Sequence, residues 1–191
     1  MYFKVRKRFN RILRKYFGVP YAHRRVLSRA LKELLVRVPE PVVIETGCIR
    51  WLDEGTESTL TIASTLQGAG TFMTFELRPQ HIENCRKLCA DWNRYITYIQ
   101  GDSVMNLWRM VREGKLAHID FAFLDSTNDG DHTWKEFQTI EKCFVPGSVL
   151  IVDDVLWADK GRVIVPYIRG SDDWDHKILN VANGMMIARR L

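Results

Sequence analysis

Residues 119–154 read IDFAFLDSTNDGDHTWKEFQTIEKCFVPGSVLIVDD. Two runs within this stretch, IDFAFLD over 119–125 and SVLIVD over 148–153, are apolar along nearly their whole length. A half-exposed strand would alternate, whereas a strand buried on both faces of a parallel sheet reads as a continuous apolar run. Between them, 133–143 has the length and pattern of a helix. Strand, helix and strand in this spacing make a crossover unit, and both strands end in carboxylates: Asp125 after the first, Asp153 and Asp154 after the second.

The same alternation extends toward the N-terminus. Strands are expected at 42–46 (VVIET), 71–76 (TFMTFE) and 96–100 (ITYIQ), with helices at 58–67, 79–92 and 103–113. Repeated strand–helix units predict a doubly wound α/β sheet. Beyond 154, KILNVA (177–182) and MMIARR (185–190) flank Asn183-Gly184, a two-residue hairpin signal. The mostly parallel sheet, seven strands in all, therefore ends on an antiparallel C-terminal hairpin strand. Two helices should precede it. One runs over 2–17, with Phe9, Ile12, Leu13, Tyr16 and Phe17 on one face, and a second over 22–37, stopped by Pro39 and Pro41. The expected division is a basic helical arm over 1–38 and an α/β domain over 39–191.

The chain has 191 residues and a formal net charge of +5. Residues 1–37 hold twelve basic side chains and one acid, whereas the remainder holds 16 basic and 22 acidic residues. A +11 arm thus sits on a −6 body, and nucleic acid is not expected as a general partner. The arm itself has several readings. Its apolar face can pack on the domain, residues 1–20 can lie on an anionic membrane surface, its charges can meet phosphates, or it can form homo-oligomer contacts. No apolar run reaches membrane-spanning length, and no secretory signal is expected. The four cysteines contain no CxxC pair, and Cys85 and Cys89 share a helical spacing that favours core packing. A reduced, cytoplasmic setting is expected, with peripheral membrane association left open.

In open α/β sheets, ligands bind beyond the carboxyl ends of the strands. The first strand ends Glu45-Thr46-Gly47-Cys48, and a helix then opens at Ser58-Thr59. Glu76 ends the second strand, where an acid can accept both hydroxyls of a ribose. Asp102-Ser103 follows the third, and Asp102 can cap the next helix, meet an adenine edge, or both. Asp125, Asp153 and Asp154 bring three negative charges to one rim. A divalent cation such as magnesium would relieve them, and so would pairing with Arg, Lys or a helix N-terminus. His132, in Asp129-Gly130-Asp131-His132, is either a general base or a helix-start residue that packs or caps. Trp51, Trp134 and Trp157 follow strand ends and either line an acceptor pocket or cover the core. There is no GxGxxG, no P-loop GK[ST], no HExxH and no Ser–His–acid order.

Taken together, the motifs resemble the class I S-adenosylmethionine (SAM)-dependent methyltransferases, in particular methyltransferase family 24, close to the small-molecule O-methyltransferases. The resemblance rests on VIETGC with ESTLTIAS, FELRP, GDS, FAFLDSTNDGDHTWKEF and VPGSVLIVDDV, in that order, over about 40–191. It implies a Rossmann-like sheet and methyl transfer from SAM to a hydroxyl or other nucleophile of a small molecule or sugar. It further implies that Glu45, Gly47, Ser58 and Thr59 surround the methionine end, that Glu76 holds the ribose, and that Asp102 and Ser103 flank the adenine. Asp125 joins that cofactor set, and Asp125, Asp153 and Asp154 form the metal set. His132, Asp125 and Asp154 are the catalytic candidates. Either Asp125 or Asp129 is the equivalent of the family's strand-end acid, and the continuous FAFLD run favours Asp125. Two other classes stay in view: a non-catalytic methyltransferase-like module docking through its basic arm, and an α/β enzyme using NAD or a nucleotide sugar.

Overall fold

The structure, a computed structural model, describes residues 22–49, 58–181 and 183–191. Strands β1 (Val42–Thr46), β2 (Thr71–Glu76), β3 (Ile96–Gln100), β4 (Ile119–Leu124), β5 (Phe144–Val152), β6 (Trp174–Leu179) and β7 (Met185–Arg190) form one sheet in the order β3-β2-β1-β4-β5-β7-β6. β1 to β5 are parallel, and β7 runs antiparallel to both β5 and β6. The Rossmann-like, mostly parallel sheet with its antiparallel C-terminal strand is therefore present. Strand order reverses at β1, which pairs with β2 on one side and β4 on the other.

Six helices complete the described chain: α1 (Ala22–Leu35), α2 (Ser58–Leu66), α3 (Pro79–Leu88), α4 (Ser103–Arg112), α5 (Gly130–Ile140) and α6 (Asp159–Gly170). The strand pleat sends Val43, Phe121, Phe123, Val149 and Ile151 to one face, where Leu27, Leu31, Leu34, Ile62, Leu66 and Ile82 of α1, α2 and α3 cover them. It sends Ile44, Ala122, Leu124, Leu150 and Val152 to the other, under Leu107, Phe137, Ile140, Ile164 and Ile168 of α4, α5 and α6. Burying each such Leu, Ile or Phe side chain contributes about 1.5–3 kcal/mol. This two-sided burial is why the central strands read as continuous apolar runs.

Several boundaries differ from the sequence reading, each for a local reason. α5 begins at Gly130 rather than 133, because the Asp129 carboxylate accepts from the amides of Asp131 (2.9 Å) and His132 (3.2 Å) and so caps the helix. The helix expected over 79–92 ends at Leu88, and a 3-10 turn occupies Ala90–Tyr95. β5 begins at Phe144, before the expected 148. Its register slips between Ile119, opposite Phe144, and Phe121, opposite Val149, so Pro146 and Gly147 bulge from the ladder. α6 was not foreseen, since Gly161, Pro166 and Gly170 break up its pattern.

The C-terminal hairpin corrects the expected two-residue turn. Leu179 pairs with Met185, so β6 ends before 180 and the strands do not close directly around Asn183-Gly184. Asn183 and Gly184 instead dock the preceding loop. Asn183 Nδ2 donates to Asp154 Oδ1 at 2.8 Å, and the Asn183 and Gly184 carbonyls accept from the amides of Leu156 and Val155, both at 3.0 Å.

The expected helix over 22–37 is α1. Leu27 and Leu31 are fully buried, while the Arg29 side chain is solvated and paired with Glu33. Arg24 Nε donates to Thr61 Oγ1 of α2 at 3.0 Å. The expected helix over 2–17, the proposed membrane contact of residues 1–20, and Trp51 with most of the loop before Ser58 lie outside the described residues. No described helix is long and apolar enough to cross a membrane.

α6 presses Gly161 against the loop that follows β5. A Cβ on Gly161 would lie 1.8 Å from the Val155 carbonyl oxygen and 2.6 Å from its carbon. Backbone cannot yield as a side chain can, so Gly161→Ala should lower stability by about 3 kcal/mol in urea unfolding. A change below about 0.5 kcal/mol, the scale of a surface substitution, would contradict this packing.

Candidate active site

The parallel pairing around β1 aligns four strand ends. Gly47 donates its amide to Phe75 O at 2.8 Å, Asp125 donates to Thr46 O at 2.9 Å, and Gly101 donates to Glu76 O at 2.9 Å. Gly47 has φ +85, and a Cβ there would lie 2.5 Å from the Asp125 carbonyl oxygen. Only glycine meets both demands. Beyond these ends opens a cleft of about 260 Å³, with Gly47, Glu76, Asp102, Ser103, Asp129 and His132 among its lining residues.

Glu76 is nearly buried at the cleft wall. Its Oε1 accepts from the Arg78 amide at 2.9 Å and lies 3.2 Å from His81 Nδ1, and its Oε2 has the Cys48 thiol at 3.9 Å. A carboxylate with two oxygens keeps acceptor capacity for further donors. Asp102 caps α4 by accepting from the Met105 amide at 2.9 Å while remaining on the cleft wall. Capping and wall position coexist, as the sequence allowed.

His132 sits on this wall with partners that the sequence reading missed. Its Nε2 is 3.0 Å from Ser103 Oγ and 3.4 Å from Glu136 Oε1. Ser103 donates to Glu136, and Thr46 Oγ1 donates to the other Glu136 oxygen at 3.2 Å. Glu136 is fully buried. The hydrogen bond to Glu136 raises the His132 pKa, against partial desolvation, with Asp102 and Asp129 adding to the rise. The contact with Ser103 holds the His132 ring on the cleft wall. The one signal for Glu136 in the sequence was its spacing of four from His132, which puts both on one helical face.

The three acids form a separate group beside the cleft. Ligand oxygens of Asp125, Asp153 and Asp154 lie within 4.8 Å of one another. Asp125 follows β4 directly and Asp129 caps α5, so Asp125 is the strand-end acid. Lys160 of α6, fully buried, places Nζ 3.1 Å from Asp125 Oδ1. The alternative of a lysine partner, left open by the sequence, is thus present, and Lys160 itself was not anticipated. Asp153 has its carboxyl pushed up to about 7 by burial, with Asp125 and Asp154 adding repulsion, and its Oδ1 has no hydrogen-bond partner. Asp154 adopts φ +57 and is held by Asn183.

Glu45, Ser58 and Thr59 lie buried and are not part of the cleft wall, and neither is Asp125. The Glu45 Oε2 accepts from Thr59 at 2.7 Å and from Thr74 at 2.8 Å, which pins the start of α2 to β1 and β2. Burial pushes the Glu45 carboxyl up to about 8. Trp134 packs on Tyr167 and Phe137, with ring centroids at 4.9 and 5.6 Å, and so covers the core, whereas Trp157 is 60% exposed. The four cysteines are free and buried.

The sequence profile of the family described as a methyltransferase domain, methyltransferase family 24, matches residues 55–155. No protein of curated function matches the chain significantly. Among solved structures, an O-methyltransferase from Bacillus cereus in complex with SAH is 21% identical, with a TM-score of 0.69 over 87% of this chain and 81% of that one. A methyltransferase from Geobacter sulfurreducens is 17% identical, with a TM-score of 0.66 over 95% of this chain and 85% of that one. The O-methyltransferase TomG from Streptomyces achromogenes, involved in tomaymycin synthesis and in complex with SAM, is 21% identical, with a TM-score of 0.66 over 84% and 78%. At these identities the likeness is one of fold.

Glu45 gives stability a pH dependence of definite sign. In the fold it keeps its proton up to about 8, whereas it ionises near 4.5 when unperturbed. Its contribution is complete below that lower value and is lost as pH rises toward 8, with a slope of up to about 1.4 kcal/mol per pH unit. Unfolding curves across pH 5–8 should show this slope in the native chain and lose it in Glu45→Gln. An equal slope in both proteins would contradict a protonated Glu45.

Proposed function

The chain belongs to methyltransferase family 24, and on that premise we propose that it transfers the methyl group of SAM to a hydroxyl oxygen of a small molecule or sugar. The observation that carries this reading is the cleft at the strand-order reversal, with Glu76, Asp102 and Ser103 on one wall and Gly47 at its floor. The residues fit the cofactor. Glu76 is acceptor-only and nearly buried, its amide partner uses one oxygen, and the two hydroxyls of a ribose supply matching donors. Gly47 offers backbone without a side chain in the way. Absence of GxGxxG argues against a dinucleotide cofactor.

When bound, SAM supplies an activated methyl carbon, so the work left to the protein is mainly positioning. Glu76 orients the ribose, and Asp102, Ser103 and His132 flank the base. Asp125 and Asp154, on the partly open acidic rim, are the groups that accept a hydrogen bond from the acceptor hydroxyl or take its proton. The acid set also fits a divalent cation held by carboxylate oxygens, because Asp153 Oδ1 lacks a partner and three carboxylates face a single lysine. Such a cation would lower the hydroxyl pKa.

Calorimetry tests both levels. The chain should bind S-adenosylhomocysteine and not NAD, and Glu76→Ala should weaken that binding by at least about tenfold, the scale of a lost charge-assisted hydrogen bond. Unchanged affinity in Glu76→Ala would contradict the site. With S-adenosylhomocysteine present, magnesium should give a binding isotherm that Asp153→Asn abolishes. Absence of heat would leave Lys160 as the rim's cation and sink the metal.

A further inference from the structure

Glu136 is a carboxylate with no exposure to solvent, and it sits behind the cleft rather than on its wall. A charge so placed is tolerated only when donors surround it. Three elements surround it: Thr46, which ends β1, and Ser103, which opens α4, donate to it, and His132, one turn earlier on α5 itself, places Nε2 3.4 Å away. Two of these three, Ser103 and His132, line the cleft. None of the residues expected from sequence at the cofactor site links these elements through one side chain.

The circuit also assigns a proton. A serine hydroxyl has one hydrogen, and Ser103 gives it to the Glu136 carboxylate. The Ser103 oxygen can then only accept from the His132 Nε2 that stands 3.0 Å away. Nε2 therefore carries a hydrogen, which leaves Nδ1 as the ring atom that gains and loses a proton. A carboxylate in place of a neutral group makes this choice one-sided, since hydrogen bonds to a charged acceptor are about twice as strong.

From this geometry we infer that Glu136 is a positioning residue of the cofactor cleft: it holds Ser103 and His132 on the wall and fixes His132 as the Nε2–H form, so that the adenine end of the cofactor meets a histidine whose charge is set from behind. The inference rests on the cofactor reading above. Groups facing His132 are Glu136 on its own helix, Ser103 at the start of α4, Asp102 before it, and Asp129 at the α5 cap, where the His132 amide is bound. All of the charged members are acidic, so each favours the imidazolium. Its pKa is raised in consequence, with Glu136 first among the causes. The charge on His132 is then fully present at low pH and is lost as pH rises through that raised value.

Two readouts test the inference on the full chain. Ring-nitrogen NMR of His132, assigned with His132→Asn, should show the Nε2–H tautomer and a raised titration midpoint in the native protein. Glu136→Gln, which keeps the shape and removes the charge, should lower that midpoint by about one pH unit and raise the Kd for S-adenosylhomocysteine about tenfold below the native midpoint. If Glu136→Gln does not fold, Ser103→Ala removes the hydroxyl that assigns the tautomer and should weaken the Nε2–H preference in the same ring-nitrogen spectrum while leaving the fold intact. An unchanged midpoint would overturn the inference, and so would a lowered midpoint with S-adenosylhomocysteine affinity unaltered within about twofold. A native chain that binds no S-adenosylhomocysteine would contradict the cofactor assignment instead, and the histidine titration would still decide whether Glu136 acts on His132.

Discussion

The parallel pairing of β1 with β4 is the constraint from which the site follows. Strand order reverses there, so the helices leave to opposite faces and a crevice opens between their starts. Gly47 makes the pairing possible at its carboxyl end. Any side chain at that position would collide with the Asp125–Ser126 backbone, at 2.5 Å from the Asp125 carbonyl oxygen. With the strands closed to this degree, Thr46 reaches Glu136 on the far face, and Asp125 emerges on the rim next to Asp153.

Six acids gathered around these strand ends would repel each other if all were left bare, and the fold treats them differently. Glu45 keeps its proton and two threonine donors. Glu76 has a backbone amide and a histidine. Glu136 has two hydroxyls and His132, and Asp125 has the buried Lys160. Glu45 Oε1 and Asp153 Oδ1 are left without a hydrogen-bond partner, and of the two it is Asp153 that belongs to the three-acid rim. That difference separates a hydrogen-bonded cofactor wall from a rim still able to take a cation or a proton. It also explains how a body of negative net charge can hold a cluster of buried carboxylates.

Much of the sheet was legible from its short apolar runs, which burial on both faces makes nearly continuous in the central strands β1, β2 and β4. VVIET, TFMTFE, ITYIQ and MMIARR fall where the strands are. What stayed hidden depended on contacts distant in sequence. α6 carries Gly161 because Val155 lies against it, and that same glycine, with Pro166, disguised the helix. Asn183-Gly184 looked like a hairpin turn, yet its carbonyls and amide serve the loop at 154–156. Strand-end acids could be read as a set from their position alone. Glu136 and Lys160 could not, since a helical glutamate and a lysine are ordinarily solvated. Their burial follows from tertiary packing, and it is these two that give His132 and Asp125 their surroundings.

The most direct measurement is a crystal structure of the chain grown with S-adenosylhomocysteine. The account predicts density in the cleft beyond β1 and β2, with both ribose hydroxyls on the Glu76 carboxylate and the base against the wall that Ser103 and His132 form. Density elsewhere, or a ribose out of reach of Glu76, would contradict it.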